Sequence, residues 1–114
     1  MASDEIIRLA EDIRAMRIRG AAEIGRAAAG GLKSYALSSR TSDARSYFEG
    51  FNEVYRLLLN TRPTAVSLAN ALNYIRYRVL SAYREGAPTE VLRQTTIDAS
   101  DTFLKSSFEA VKKI

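Results

Sequence analysis

With 114 residues, 46% of them apolar and 26% charged, the chain has the size and make-up of one folded domain with a modest core. It contains neither Cys nor His, which excludes disulfides, thiolate zinc sites, cysteine nucleophiles and the commonest general base. The net charge of +4 rests on 17 basic and 13 acidic residues, and the basic set is mostly Arg, a balance that permits phosphate or carboxylate binding without requiring it.

The chain reads as five helices. Ser3 is a suitable N-cap for the first, in which Ile6, Leu9, Ala10 and Ile13 fall on one apolar stripe; Arg14, Arg17 and Arg19 crowd its end, and Gly20 breaks it. A second helix aligns Ala21, Ile24, Ala28, Leu32 and Tyr35. Its Gly30 and Gly31 imply either a kink or close contact with a neighbouring backbone, and close contact is the reading adopted. A third, starting around Ser42, spaces Ala44, Phe48, Phe51, Tyr55 and Leu58 as a heptad-like seam. The fourth is expected to follow Pro63 as its first helical residue, to set Leu68, Leu72, Ile75 and Val79 on one stripe, and to stop at Gly86. The fifth, capped by Thr89, runs through Leu92, Ala99, Phe103 and Ala110 to Lys112 and Lys113. No stretch alternates as a half-buried strand does, and short connections make the helices antiparallel neighbours, so the expected fold is an all-α bundle.

No apolar run approaches the roughly 18 residues of a membrane span, and the start MASDEIIRL lacks the features of a signal peptide, so a cytoplasmic protein without a membrane partner is expected. The last helix reaches Ile114 with no polar tail or loop, which reads as a cut chain.

Two places join a cation to an expected helix start. In Arg19-Gly20-Ala21-Ala22 the glycine lets a ligand approach the backbone while the first amides of the second helix lack partners; in Thr61-Arg62-Pro63-Thr64 a second arginine precedes the fourth helix, with Thr64 able to cap it or to donate to an oxyanion. Open amides, the positive helix pole and a guanidinium make an anion cradle. The ordinary alternative is a solvated arginine beside ordinary capping, and periodicity does not separate the two. Residues 74–85, YIRYRVLSAYRE, interleave Tyr74, Tyr77 and Tyr83 with Arg76, Arg78 and Arg84. Such a pattern suits nucleic acid, but tyrosines flanking a helical core with arginines outward explains it better, so a nucleic-acid partner is not expected. The carboxylate pairs Glu11 with Asp12, Glu49 with Glu53, and Asp98 with Asp101 stand on faces without other ligands, so neither a metal site nor a cofactor is expected.

The two cradles, RGAAEIG at 19–25 and TRPTAVSL at 61–68, about forty positions apart, together resemble the N-terminal helical domain of a sugar-phosphate isomerase superfamily. It includes archaeal ribose-1,5-bisphosphate isomerase, methylthioribose-1-phosphate isomerase and the alpha, beta and delta regulatory subunits of translation initiation factor 2B. The resemblance spans essentially the whole chain. Methylthioribose enzymes typically have proline where this chain has Ala22, and Glu23 resembles the ribose-1,5-bisphosphate type. The resemblance implies that Arg19, Gly20, Ala21, Ala22 and Arg62 contact the phosphorylated sugar. It also implies that the proton-transfer cysteine and aspartate stand on a C-terminal Rossmann-like domain beyond residue 114. On that reading residues 1–114 are the N-terminal domain of a two-domain protein, hold no catalytic residue and are inactive alone. The parent then partners its own C-terminal domain and forms a dimer or hexamer. The alternative is a regulatory subunit domain, related to initiation factor 2B, that acts through protein contacts.

Overall fold

The computed structural model describes residues 4–16, 18, 20–62 and 64–112, with side chains up to residue 106. Five helices follow one another: α1 Asp4–Arg14, α2 Ala21–Ser38, α3 Ala44–Leu59, α4 Val66–Arg84 and α5 Thr89–Lys112. No strand occurs among the described residues, so the expected all-α bundle is the observed fold. The Ser3 cap lies outside the described residues.

Helix α2 runs through the middle of the bundle and packs most closely on α4 and α5, with α1 and α3 on its other flank. It is continuous through Gly30 and Gly31. Close approach at Gly31 is real but comes from side chains: a Cβ there would lie 2.9 Å from both Leu9 Cδ2 of α1 and Leu58 Cδ1 of α3. Gly30 has no atom within 4 Å of such a Cβ. The buried stripe of α2 is Ile24, Ala28, Leu32 and Tyr35; Ala21, expected to share it, is exposed in the first turn.

Helix α3 begins at Ala44 rather than around Ser42 because the Asp43 carboxylate accepts both the Ser46 amide at 2.9 Å and the Ser46 hydroxyl at 2.8 Å. An ionised carboxylate is the stronger acceptor and fixes the cap one residue later. These bonds, the hydroxyl's first, hold the Asp43 carboxyl below the usual carboxylate range. The face that α3 buries is also wider than the expected seam. Tyr47 and Val54 are fully enclosed, whereas Ala44 and Tyr55 are half-buried.

Helix α4 starts at Val66 with Ala65 as its N-cap, not directly after position 63. The intervening chain closes a turn through the Ala65 amide donating to the Arg62 carbonyl at 3.0 Å. The other end of α4 is a glycine-capped stop: Gly86 adopts φ 81°, its amide bonds the Tyr83 carbonyl, and the Ala87 amide bonds the Ala82 carbonyl. In α5 the first helical bonds go to the Pro88 carbonyl, from the amides of Val91 and Leu92. Thr89 is therefore already inside the helix. Its hydroxyl is buried without a hydrogen-bond partner among the described residues, so the expected Thr89 cap is not made.

Candidate functional site: two uncapped helix starts

Gly20 precedes α2 with φ 93° and ψ 132°, backbone angles that side chains of L residues disfavour. The first bond within α2 is the Ile24 amide to the Gly20 carbonyl at 3.0 Å, so the amides of Ala21, Ala22 and Glu23 have no acceptor inside the helix, and no side chain among the described residues caps them. Gly20, Ala21 and Ala22 are all exposed. Arg19 lies outside the described residues.

The start of α4 has the same character. Its first bond is the Ala69 amide to the Ala65 carbonyl, so the amides of Val66, Ser67 and Leu68 have no acceptor among the described residues, and Ala65 supplies no cap. Thr64 is exposed and does not cap the helix. Thr61 does anchor the turn, its buried hydroxyl donating to the Leu58 carbonyl at 2.6 Å. That anchor holds the half-buried Arg62 ahead of α4, where it forms no ion pair among the described residues.

The two starts are brought together at Gly25, in the second turn of α2. A Cβ there would lie 3.5 Å from the Ser67 carbonyl oxygen in the first turn of α4 and 3.4 Å from the Phe103 ring of α5. With a rise of about 1.5 Å per residue, Gly20 is only ~8 Å along the axis from this contact. Three helices thus converge where α2 lacks a side chain. Gly25 belongs to the stretch that prompted the resemblance, but its pairing with Ser67 and Phe103 is a tertiary fact with no local signature.

Each helix start carries about +0.5 of an elementary charge, and Arg62 adds one more, for a total near +2. A phosphate monoester carries about −1.5 to −2 near neutral pH. Amide donors on two helices and one guanidinium therefore offer a charge that matches that of a phosphate.

The other candidates resolve differently. Tyr83 stacks on Phe48 with ring centres 4.4 Å apart, so it is a packing group, and the half-buried Arg76 lies over Phe48 and Tyr55 while its Nε donates to Asn52 Oδ1 at 2.9 Å. Tyr74 and Tyr77 remain exposed. Glu11 pairs with Arg14, Asp98 accepts from Gln94, and Asp101 pairs with Lys33; no group of three potential metal ligands occurs among the described residues. A cleft of about 540 Å³ between α1 and α2, bordered by Arg8, Asp12, Gly30 and Ser34, contains none of the predicted site residues. No helix among the described residues is long and apolar enough to cross a membrane.

Comparison with known proteins places the chain in a family. Over 110 residues the chain is 44% identical to the ribose 1,5-bisphosphate isomerase of Pyrococcus furiosus and 39% identical to that of Thermococcus kodakarensis, covering 96% of this chain and 34% of each relative. The chain therefore spans about a third of the length of these relatives. The crystal structure of 5-methylthioribose 1-phosphate isomerase from Pyrococcus horikoshii superposes with a TM-score of 0.80 at 34% identity, over 89% of this chain and 28% of that one. Residues 17–114 match the Initiation factor 2 subunit family, IF-2B, and with both starts of the candidate site inside that span, the chain belongs to this family.

Proposed function

We propose that this chain is the N-terminal, phosphate-binding helical domain of a cytoplasmic aldose-ketose isomerase that converts ribose 1,5-bisphosphate to ribulose 1,5-bisphosphate in nucleotide salvage. The observation that carries the reading is the Gly25–Ser67 contact, which sets two uncapped helix starts side by side next to an arginine without an ion-pair partner among the described residues. The names of the relatives supply the substrate class. Gly20, Ala21 and Ala22 position the phosphate through backbone amides, and Arg19 and Arg62 neutralise its charge. A Rossmann-like C-terminal domain would supply the cysteine and aspartate that move the proton through an enediol-like intermediate. This chain alone is then inactive, and the parent works as a dimer or hexamer.

The test is steady-state turnover of ribose 1,5-bisphosphate by the full-length parent and by its Arg62→Ala variant. Loss of one charge-assisted phosphate contact is expected to lower kcat/KM by about 10- to 100-fold, that is ~1.5–3 kcal/mol. Unchanged kinetics would remove Arg62 from the site. The family match also supports a regulatory reading, in which a relative of the initiation factor subunits acts by protein contact. A downstream domain lacking the cysteine and aspartate would decide for that reading.

A further inference from the structure

The outward face of α4 differs from that of the other helices. Over 19 residues α4 carries Arg76, Arg78 and Arg84 and no carboxylate, whereas the sequences of α1, α3 and α5 mix acidic and basic residues. At 100° per residue Asn73, Tyr77 and Arg84 fall within about 40° of one another and form a straight line ~16 Å long. All three are exposed, Tyr77 to 70%.

The two arginines that flank Tyr77 are held in place by rings and neutral acceptors. Arg76 lies 5.3 Å from the Tyr55 ring centre and bonds Asn52; Arg78 lies 6.0 Å from the Tyr74 ring centre and donates to its hydroxyl at 3.2 Å. Among the described residues none of the three arginines pairs with a carboxylate. Ordering a long guanidinium side chain normally opposes binding, and here much of that ordering is present in the free protein. Exposed Tyr and Arg with Lys, Asp and Glu missing is also the composition of a protein interface.

We propose that this face of α4 docks a protein partner that presents carboxylates around an apolar socket, with the Tyr77 ring as the anchor in that socket. Charge decides among occupants. A nucleic-acid duplex carries one charge per ~1.7 Å, far denser than three arginines over ~12 Å of helix, with Arg76 and Arg78 on opposite flanks of Tyr77, can match. A second copy of the same face would set arginines against arginines.

The inference is independent of the phosphate site, since Tyr77 lies ~16 Å along α4 from Val66. It is tested by nitrogen-15 NMR of the full chain, titrated with a glutamate-tyrosine copolymer and, separately, with polyuridylate of matched charge. The copolymer is expected to shift amides of residues 70–84, with an affinity at least tenfold weaker in Tyr77→Ala and about threefold weaker in Arg84→Ala. Both substitutions are at exposed positions, and circular dichroism verifies that the helices persist. Shifts confined to other helices, no shift at all, polyuridylate binding as tightly as the copolymer, or a concentration-dependent dimer abolished by Tyr77→Ala would each overturn the proposal.

Discussion

Met16 is the only residue other than glycine with positive φ among the described residues, at 64°. It follows α1 where Gly86 follows α4, and its amide bonds the Ile13 carbonyl in the same pattern as Gly86 to Tyr83. A Cβ in this conformation costs about 1 kcal/mol that glycine avoids. Met16→Gly is therefore expected to raise stability by up to ~1 kcal/mol, offset in part by the greater freedom of glycine in the unfolded chain, and urea unfolding measures it. Tyr47 makes a second residue-level prediction. Burial, ahead of every other cause, pushes its hydroxyl up to about 12. The unfolded chain ionises it near pH 10, so its contribution is complete below about pH 10 and is lost as pH rises toward 12, at up to ~1.4 kcal/mol per unit. Urea midpoints should fall steeply across that interval, and Tyr47→Phe should flatten the fall.

At the scale of elements, the glycines of α2 and α3 separate into those that admit a neighbour and those that do not. A Cβ at Gly25 would meet Phe103 and Ser67 at ordinary contact distance, so Gly25→Ala should be tolerated to within about 0.5 kcal/mol. Gly25→Val has no such room and is expected to cost ~1–3 kcal/mol by overpacking, while widening the gap between the two helix starts. Gly50 is the stricter case, because a Cβ there would fall inside hydrogen-bonding distance of the Tyr35 hydroxyl, which donates to the Tyr47 carbonyl at 2.8 Å. Gly50→Ala should destabilise by ~1–3 kcal/mol, and combining it with Tyr35→Phe should cost less than the sum of the two changes. Helix identity was legible from spacing, since Ile6, Ile13, Leu32, Phe51, Leu72 and Leu92 are all buried as their periodicity requires. Helix starts were less legible. Ser42, Pro63 and Thr89 each offered plausible capping chemistry, but the carboxylate of Asp43, the turn at Arg62 and the carbonyl of Pro88 decide the starts of α3, α4 and α5.

Across the whole molecule, α2, α4 and α5 form the tightest packing, and among the described residues α1 touches only α2 and α3. Native-state hydrogen exchange should show the slowest amides in the middle of α2 and α4 and faster exchange throughout α1, despite the burial of Ile6 and Ile13. Equal protection in α1 would mean that the bundle opens only as a unit. Both stretches of the candidate site were readable as short motifs, and what the motifs could not carry is their adjacency. That depends on a glycine in one helix meeting a carbonyl in another, 42 positions away. The exposed face of α4 was hidden for the opposite reason. Tyr74, Tyr77 and Tyr83 look alike in the sequence, and only packing against Phe48 removes Tyr83 from the surface.

Apolar seams such as that of α3 tolerate sliding, because a displacement by two turns presents a similar row of side chains to the same neighbours. Tyr47 makes α3 discriminate. Its carbonyl accepts from Tyr35 of α2, and its hydroxyl bonds Thr96 of α5 at 2.8 Å; the Thr96 hydroxyl in turn donates to the Leu92 carbonyl, which leaves Tyr47 as the donor to Thr96. A shifted α3 would strand the buried hydroxyls of Tyr35 and Tyr47 at once, at ~1–3 kcal/mol each. One tyrosine thereby acts as the register key of the bundle, rejecting near-native packings that hydrophobicity alone would accept.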